Sequence, residues 1–131
     1  MKLFEIQKAV YTTLANDTAI KKKVKGVYDD VPQDEKYPYI VIGDDTINKW
    51  DTDTELGLNT TLTIHAWSRK AGKKEIKEVM GLIYNALHRA EININNMNLV
   101  TCECEFMETF TDSDRITRRG VQRYRIIVEV L

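Results

Sequence analysis

The chain has 131 residues, a mass of 15.2 kDa and a formal net charge of −1. Hydrophobic residues make up 43% of it and charged residues 30%, which excludes disordered, collagen-like and coiled-coil proteins. The balanced charge argues against a duplex-DNA binder, and no apolar run is long enough for a transmembrane helix. The length suits one domain over residues 1–131, and the early acid Glu5 argues against a secretion signal, so we expect a soluble cytoplasmic protein.

Two helices are predicted at the beginning of the chain. Apolar residues at helical spacing predict an amphipathic helix over residues 3–15. Asn16-Asp17-Thr18 then offers a cap for a second, short helix, and Gly26 is its predicted stop.

Two strands are predicted after these helices. Residues 39–42 are apolar on both faces, which predicts an interior strand that ends at Gly43. Residues 56–67 alternate between an apolar and a polar face, which predicts a half-buried strand with His65 and Trp67 on its polar face. We expect the two strands to pair.

A helix and a hairpin are predicted in the second half. Five apolar residues at helical spacing predict a helix over residues 73–90: Ile76, Val79, Met80, Ile83 and Leu87. After this helix, apolar residues alternate with polar ones and predict a strand. Its predicted apolar face is formed by Val100, Cys102, Cys104, Phe106 and Phe110. The turn-like residues 112–114 join this strand to a last one over residues 124–130. The expected pairing places Glu103 and Glu105 across from Arg123 and Arg125.

All of these apolar faces are buried at once if the helices cover one face of a sheet. The predicted fold class is therefore α+β, with a four-stranded, mostly antiparallel sheet and the helices packed on one face. There is no internal repeat and no low-complexity segment.

No catalytic or metal site is expected. His65 and His88 fall on different elements without a nucleophile motif, so both are interpreted as structural. Cys102 and Cys104 share the predicted apolar face of a strand, so both are expected to be reduced core residues and not zinc ligands. The acidic segments lack the pattern of a calcium loop, and no glycine-rich phosphate loop exists, so no cofactor is expected.

Charge is unevenly distributed along the chain. Nine acids and two lysines lie between Asp29 and Glu55, whereas Arg115 to Arg125 holds five arginines and no acid. One interpretation is uneven solvation of loops. Another is self-complementarity, because each subunit of a ring or filament needs two different, matching surfaces. Nucleic-acid contact by the arginines is a third, but exposed aromatic residues are not interleaved with them.

Several short sequence segments, in this order and at these spacings, are similar to segments of a known protein family. They are Val27-Tyr28, Tyr37-Pro38-Tyr39-Ile40-Val41-Ile42-Gly43, Leu62-Thr63-Ile64-His65-Ala66-Trp67-Ser68 and Arg118-Arg119-Gly120-Val121-Gln122-Arg123-Tyr124. Together they resemble the tail-completion, or tail-to-head joining, proteins of long-tailed phages and prophages.

The resemblance implies a structural protein without catalytic residues. It implies a hexameric ring that caps the tail tube and docks it to the head connector, with DNA passing through the lumen only as cargo. The expected location is the head–tail interface of the virion, after assembly in the host cytoplasm, with no membrane partner.

Six residues are candidates for the assembly contacts: Trp50, Asp51, Asp53, Arg115, Arg118 and Arg119. The acids and arginines are expected to attract each other between subunits, and Trp50 is expected to insert into a partner. Residues 44–55 are predicted to form a hairpin that is mobile in the isolated subunit. The alternative function is a small ligand- or RNA-binding module that uses the exposed sheet face with His65, Trp67 and Arg123.

Overall fold

The computed structural model describes residues 1–131. The elements in chain order are α1 (Phe4–Asn16), α2 (Thr18–Lys23), β1 (Val27–Tyr28), β2 (Tyr39–Lys49), β3 (Leu56–Ser68), α3 (Lys74–Leu87), β4 (Met97–Thr111) and β5 (Arg118–Val130). The α+β class and the order of the predicted elements are confirmed. None of the three helices has the length and hydropathy that a bilayer crossing requires.

The sheet has five strands in the order β1-β2-β3-β5-β4, not the predicted four. The extra strand is β1, which pairs parallel to β2 through Val27 opposite Ile40 and Tyr28 opposite Val41. All other neighbours pair antiparallel. Two residues are too few to show a strand periodicity, so the sequence pattern could not indicate β1.

The helices cover one face of the sheet, which we call the inner face. The predicted face of α3 is confirmed, because all five of its predicted apolar residues are buried. They belong to one cluster of 25 buried residues that also includes Leu14 of α1, Ile64 of β3 and Tyr124 of β5. The short helix α2 begins where predicted, since the Asp17 side chain accepts a hydrogen bond from the Ile20 N–H at 2.9 Å. It ends at Lys23, before the predicted stop at Gly26.

Strand β2 is longer than predicted. It continues past Gly43 to Lys49, and a register irregularity between Ile42 and Asp45 marks the place where the apolar run ends. The prediction that the strand stops at Gly43 is wrong, because backbone pairing with β3 continues although the side chains become polar. Residues 44–55 form the end of β2 and the turn after it, and the other strand of this hairpin is β3, which lies outside the predicted range. The mobility of these residues in an isolated subunit stays a prediction.

Two bulges in β4 change which side chains face the core. The register with β5 shifts between Leu99 and Thr101 and again between Cys104 and Phe106. Each extra residue reverses the alternation that follows it. Cys102 is therefore buried as predicted and Cys104 is half-buried against the core, whereas Val100 and Phe106 are exposed, contrary to the prediction.

The second bulge also alters the predicted ion pairs of the β4–β5 hairpin. Glu103 lies opposite Arg125 as expected, but Arg123 lies opposite Phe106 and stacks on its ring. Arg125 pairs instead with Glu105, with 2.9 Å between Nε and the carboxylate oxygen.

The β4–β5 turn is held by Asp114. Its carboxylate accepts hydrogen bonds from the Thr117 hydroxyl at 2.6 Å and from the N–H groups of Thr117 and Ile116, both at 2.8 Å. These bonds favour the charged form and lower the pKa of Asp114 to about 2.

We expect Asp114→Asn to lower the free energy of unfolding at pH 7, because a neutral amide accepts weaker hydrogen bonds than a carboxylate. The folded pKa lies below the usual value of 3.8, so this stabilisation is complete above about pH 4 and is lost as the pH falls through 2. Urea denaturation of both proteins at pH 7, 4 and 2 measures it. A difference between them that did not change with pH would contradict the role of the Asp114 charge.

Candidate assembly surfaces

The six predicted interface residues form two groups at opposite ends of the sheet. One group lies in the acidic tip, the turn of residues 50–55 between β2 and β3: Trp50, Asp51 and Asp53. The other lies at the arginine end, residues 112–119 around the β4–β5 turn: Arg115, Arg118 and Arg119. Strand β5 spans the distance between them, and its 13 residues at about 3.3 Å each separate the groups by about 40 Å. The structure therefore does not bring the two groups together within one subunit.

The acidic tip is closed by its own hydrogen bonds. The Trp50 N–H donates to the Gly57 carbonyl at 2.9 Å, and the Gly57 N–H donates to the Asp51 carboxylate at 3.1 Å. The backbone and ring of Trp50 lie so close to Gly57 that an added Cβ would approach the Trp50 carbonyl oxygen to 2.1 Å. Trp50 is half-buried, so it packs within the hairpin as well as presenting part of its ring to solvent. Asp53 is exposed and makes no ion pair.

The arginine end holds three differently placed side chains. Arg115 is exposed at a turn position with φ of 60°, and Arg118 donates to the Ile116 carbonyl at 2.6 Å. The Arg119 guanidinium lies over the Trp67 ring, 4.1 Å from its centroid, and 5.3 Å from the centroid of Phe110. Arg119 is therefore an internal stacking residue, Arg118 is half-buried, and Arg115 is the one exposed arginine of the three.

The stack around Arg119 is one row across four strands. Tyr39 lies opposite Trp67, Trp67 opposite Arg119, and Arg119 opposite Phe110. The Tyr39 and Trp67 rings are stacked with their centroids 6.1 Å apart. Because Arg119 covers Trp67 and Arg123 lies over Phe106, neither Trp67 nor Arg123 is a free platform for a nucleic-acid base. The geometry thus argues against the alternative binding module.

The two histidines have structural positions. His65 borders a cavity of about 400 Å³ on the outer face of the sheet, the face that the helices do not cover. Its Nδ1 lies 3.3 Å from the Arg119 guanidinium. Burial, and then the Arg119 charge, lower the pKa of His65 below its usual 6.5, so its ring is neutral at pH 7. His88 stacks on Tyr84 at the end of α3, and its Nδ1 accepts a hydrogen bond from the Cys104 N–H.

The acids between Asp29 and Glu55 do not form one patch. Asp29 lines the same cavity as Arg119, whereas Asp53 lies in the acidic tip at the other end of the sheet. The 11 residues of β2 extend through the middle of this segment and separate its acids.

The cysteines form no metal site. Both are free, and burial raises the pKa of the Cys102 thiol to about 12, so it stays protonated at pH 7. No group of three or more His, Cys, Asp or Glu side chains is arranged to hold a metal ion.

Exposed apolar residues on both sides of the sheet were missed by the sequence analysis. Val100, Phe106 and Met107 are exposed on β4, and Phe4 and Tyr11 are exposed on α1. The two α1 residues are seven apart and so share one helix face, a signal that the sequence does carry. Val100 and Phe106 are exposed because of the bulges, which no periodicity indicates.

Two solved structures share this fold. A chain of the virion of a native gene transfer agent (GTA) particle has 24% sequence identity and a TM-score of 0.88, with 95% of this chain and 94% of that chain covered. The structure of bacteriophage SPP1 gp17 protein has 24% identity and a TM-score of 0.66, with 95% and 91% covered. The fold is therefore one that virion proteins use.

Sequence comparison agrees with the fold. The tail completion protein gp17 of Bacillus phage SPP1 is 24% identical over 123 residues, which are 94% of this chain and 91% of that protein. The family model described as tail completion protein gp17 matches residues 8–129. The match covers nearly the whole chain, so this protein belongs to the tail completion protein gp17 family of phages.

Proposed function

We propose that this protein completes a phage tail as a hexameric ring that caps the tail tube and joins it to the head connector. The observation that carries the proposal is the separation of two unlike surfaces, the acidic tip and the arginine end, by about 40 Å. Identical subunits standing side by side in a ring present all their acidic tips on one side and all their arginine ends on the other. Such a ring can bind two different partners at once.

The two ends have defined roles in this proposal. Trp50, Asp51 and Asp53 contact one axial partner, and Arg115 and Arg118 contact the other. Arg119 keeps the arginine end in place through its stack on Trp67. Opposite charges at the two ends steer each partner to its own side of the ring. Exposed ion pairs contribute only about 0–1 kcal/mol each, so apolar groups such as the Trp50 ring supply much of the contact. DNA passes through the lumen as cargo, in the virion at the head–tail interface.

Asp53→Arg tests the acidic tip, because Asp53 is exposed whereas Asp51 also holds the Gly57 N–H. We expect the variant ring to keep its mass but to lower the yield of joined head–tail particles at least tenfold. Sedimentation gives the mass, and electron microscopy of particles from a phage that depends on the variant gives the yield. Glu91→Arg is the matched control, since it makes the same charge change at an exposed residue outside both ends.

Three other results would contradict the proposal. A wild-type protein that never forms a six-subunit ring, alone or on tails, overturns the ring itself. Normal joining with Asp53→Arg removes the acidic tip from the contact. If Asp53→Arg instead dissociates the ring and Arg118→Glu restores it, the two ends meet each other between subunits and do not face axial partners.

A further inference from the structure

Resting on the proposed ring, we infer that neighbouring subunits meet through two unlike sides of the sheet. One is the β4 flank, formed by Val100, Phe106, Met107 and Glu108. The other is the α1 flank of a second copy of this chain, formed by Phe4, Lys8 and Tyr11 with the α2 lysines. Because β1 and β4 are the outermost strands, these flanks face in opposite directions. A contact between two different surfaces is what closes a ring of identical subunits.

Exposed apolar side chains concentrate on these two flanks. On the β4 flank, Val100, Phe106 and Met107 are between 40% and 52% exposed. On the α1 flank, Phe4 is 62% and Tyr11 is 43% exposed. Clusters of this kind on opposite sides of one subunit are typical of surfaces that a partner covers.

The β4 flank also has an open strand edge. Between Cys102 and Cys104 this edge is occupied, because the Arg89 N–H donates to the Cys102 carbonyl and the Cys104 N–H donates to His88. From Phe106 onward no other strand or loop pairs with it. Above this open edge, β4 and α3 border a groove of about 400 Å³, lined by Met107. The flank thus offers backbone groups and an apolar groove together.

The α1 flank has a matching cavity. It measures about 210 Å³ and lies between α1 and the β1–β2 side of the sheet, lined by Phe4, Gln7, Lys8, Tyr11, Asp29 and Ile42. An aromatic ring or a methionine side chain of the neighbouring β4 flank is a suitable occupant, since the exposed surface of the cavity wall is almost entirely apolar.

Charge selects the α1 flank as the partner of the β4 flank. On the β4 flank, Glu108 is exposed and has no ion pair, whereas Glu103 and Glu105 on the same strand are paired with Arg89 and Arg125. Two β4 flanks brought face to face would place one unpaired Glu108 carboxylate against another. The α1 side carries four exposed lysines without ion pairs, which outnumber the acids Asp29 and Asp30 beside them: Lys8, Lys21, Lys22 and Lys25. This complementarity favours the unlike contact over a symmetric dimer.

A mixing experiment tests the unlike contact. Phe106→Glu disables the β4 flank and leaves Arg123 a new acidic neighbour, and Tyr11→Glu disables the α1 flank. We expect each variant alone to remain monomeric at concentrations where the wild type sediments as a hexamer. An equimolar mixture should yield a heterodimer and nothing larger, because only one intact β4 flank and one intact α1 flank are then available. Circular dichroism confirms that both variants fold.

Ile116→Glu is the matched control, since Ile116 is equally apolar and 54% exposed but lies at the arginine end. We expect it to form rings like the wild type. A wild-type hexamer that both flank variants still form overturns this inference and leaves the proposed function intact. A mixture that stays monomeric also overturns it, because two intact complementary surfaces should associate. A wild type that is monomeric under all conditions overturns the proposed ring and this contact with it.

Discussion

Cys102→Asp should lower the free energy of unfolding by about 3–5 kcal/mol at pH 7, the range for an uncompensated buried charge. Cys102 is only 2% exposed and lies in the main core cluster, where no cation can pair with a carboxylate. The same burial that raises the pKa of the Cys102 thiol would raise the pKa of an aspartate in its place. Urea denaturation followed by circular dichroism measures the loss.

Cys102→Asn separates the charge from the change in shape, because the two side chains have nearly the same size. The Asp variant should be less stable than the Asn variant at pH 7. The difference should shrink as the pH falls through the raised pKa of the buried carboxyl, because folding then favours its protonated form. Equal stability of the two variants at pH 7 would mean that position 102 is not buried.

Ile83→Ala should lower the free energy of unfolding by about 2–5 kcal/mol, the usual cost of a large cavity in a well-packed core. Ile83 is 1% exposed and lies on the face of α3 that contacts the sheet. Lys77→Ala on the exposed side of the same helix should change stability by less than about 0.5 kcal/mol. Similar losses at the two positions, measured by urea denaturation of the monomer, would mean that α3 buries a different face.

Helices and strands whose apolar residues recur at a regular spacing could be predicted from the sequence. Helix α3 repeats its apolar residues over four turns, and strand β3 alternates between buried and partly buried residues from Leu58 to its end, so side-chain pattern and backbone agree there. Strand β4 could not be assigned to its faces correctly, since each bulge reverses the alternation without a sequence mark. The inward placement assigned to Phe106 failed for this reason.

The candidate surfaces were predicted in part. The charged residues of both turns are visible in the sequence because turns lie at the surface. The stacking of Arg119 on Trp67 depends on strand order, because β3 and β5 become neighbours only when β5 inserts between β3 and β4. The packing of Trp50 on Gly57 likewise requires knowledge of how the β2–β3 turn closes. Non-local pairing decides both, and a single sequence does not record it.

The two tryptophans can serve as intrinsic fluorescence probes of the two ends of the subunit. Trp50 lies at the acidic tip and Trp67 beside the arginine end, and the sequence contains no third tryptophan. The ten residue steps from Gly57, against which Trp50 packs, to Trp67 separate the two indoles by about 33 Å along β3. Replacing either one by phenylalanine leaves a single emitter at a known end of the subunit. The fluorescence of the remaining indole then records which end a partner has covered, and in what order the two ends are engaged.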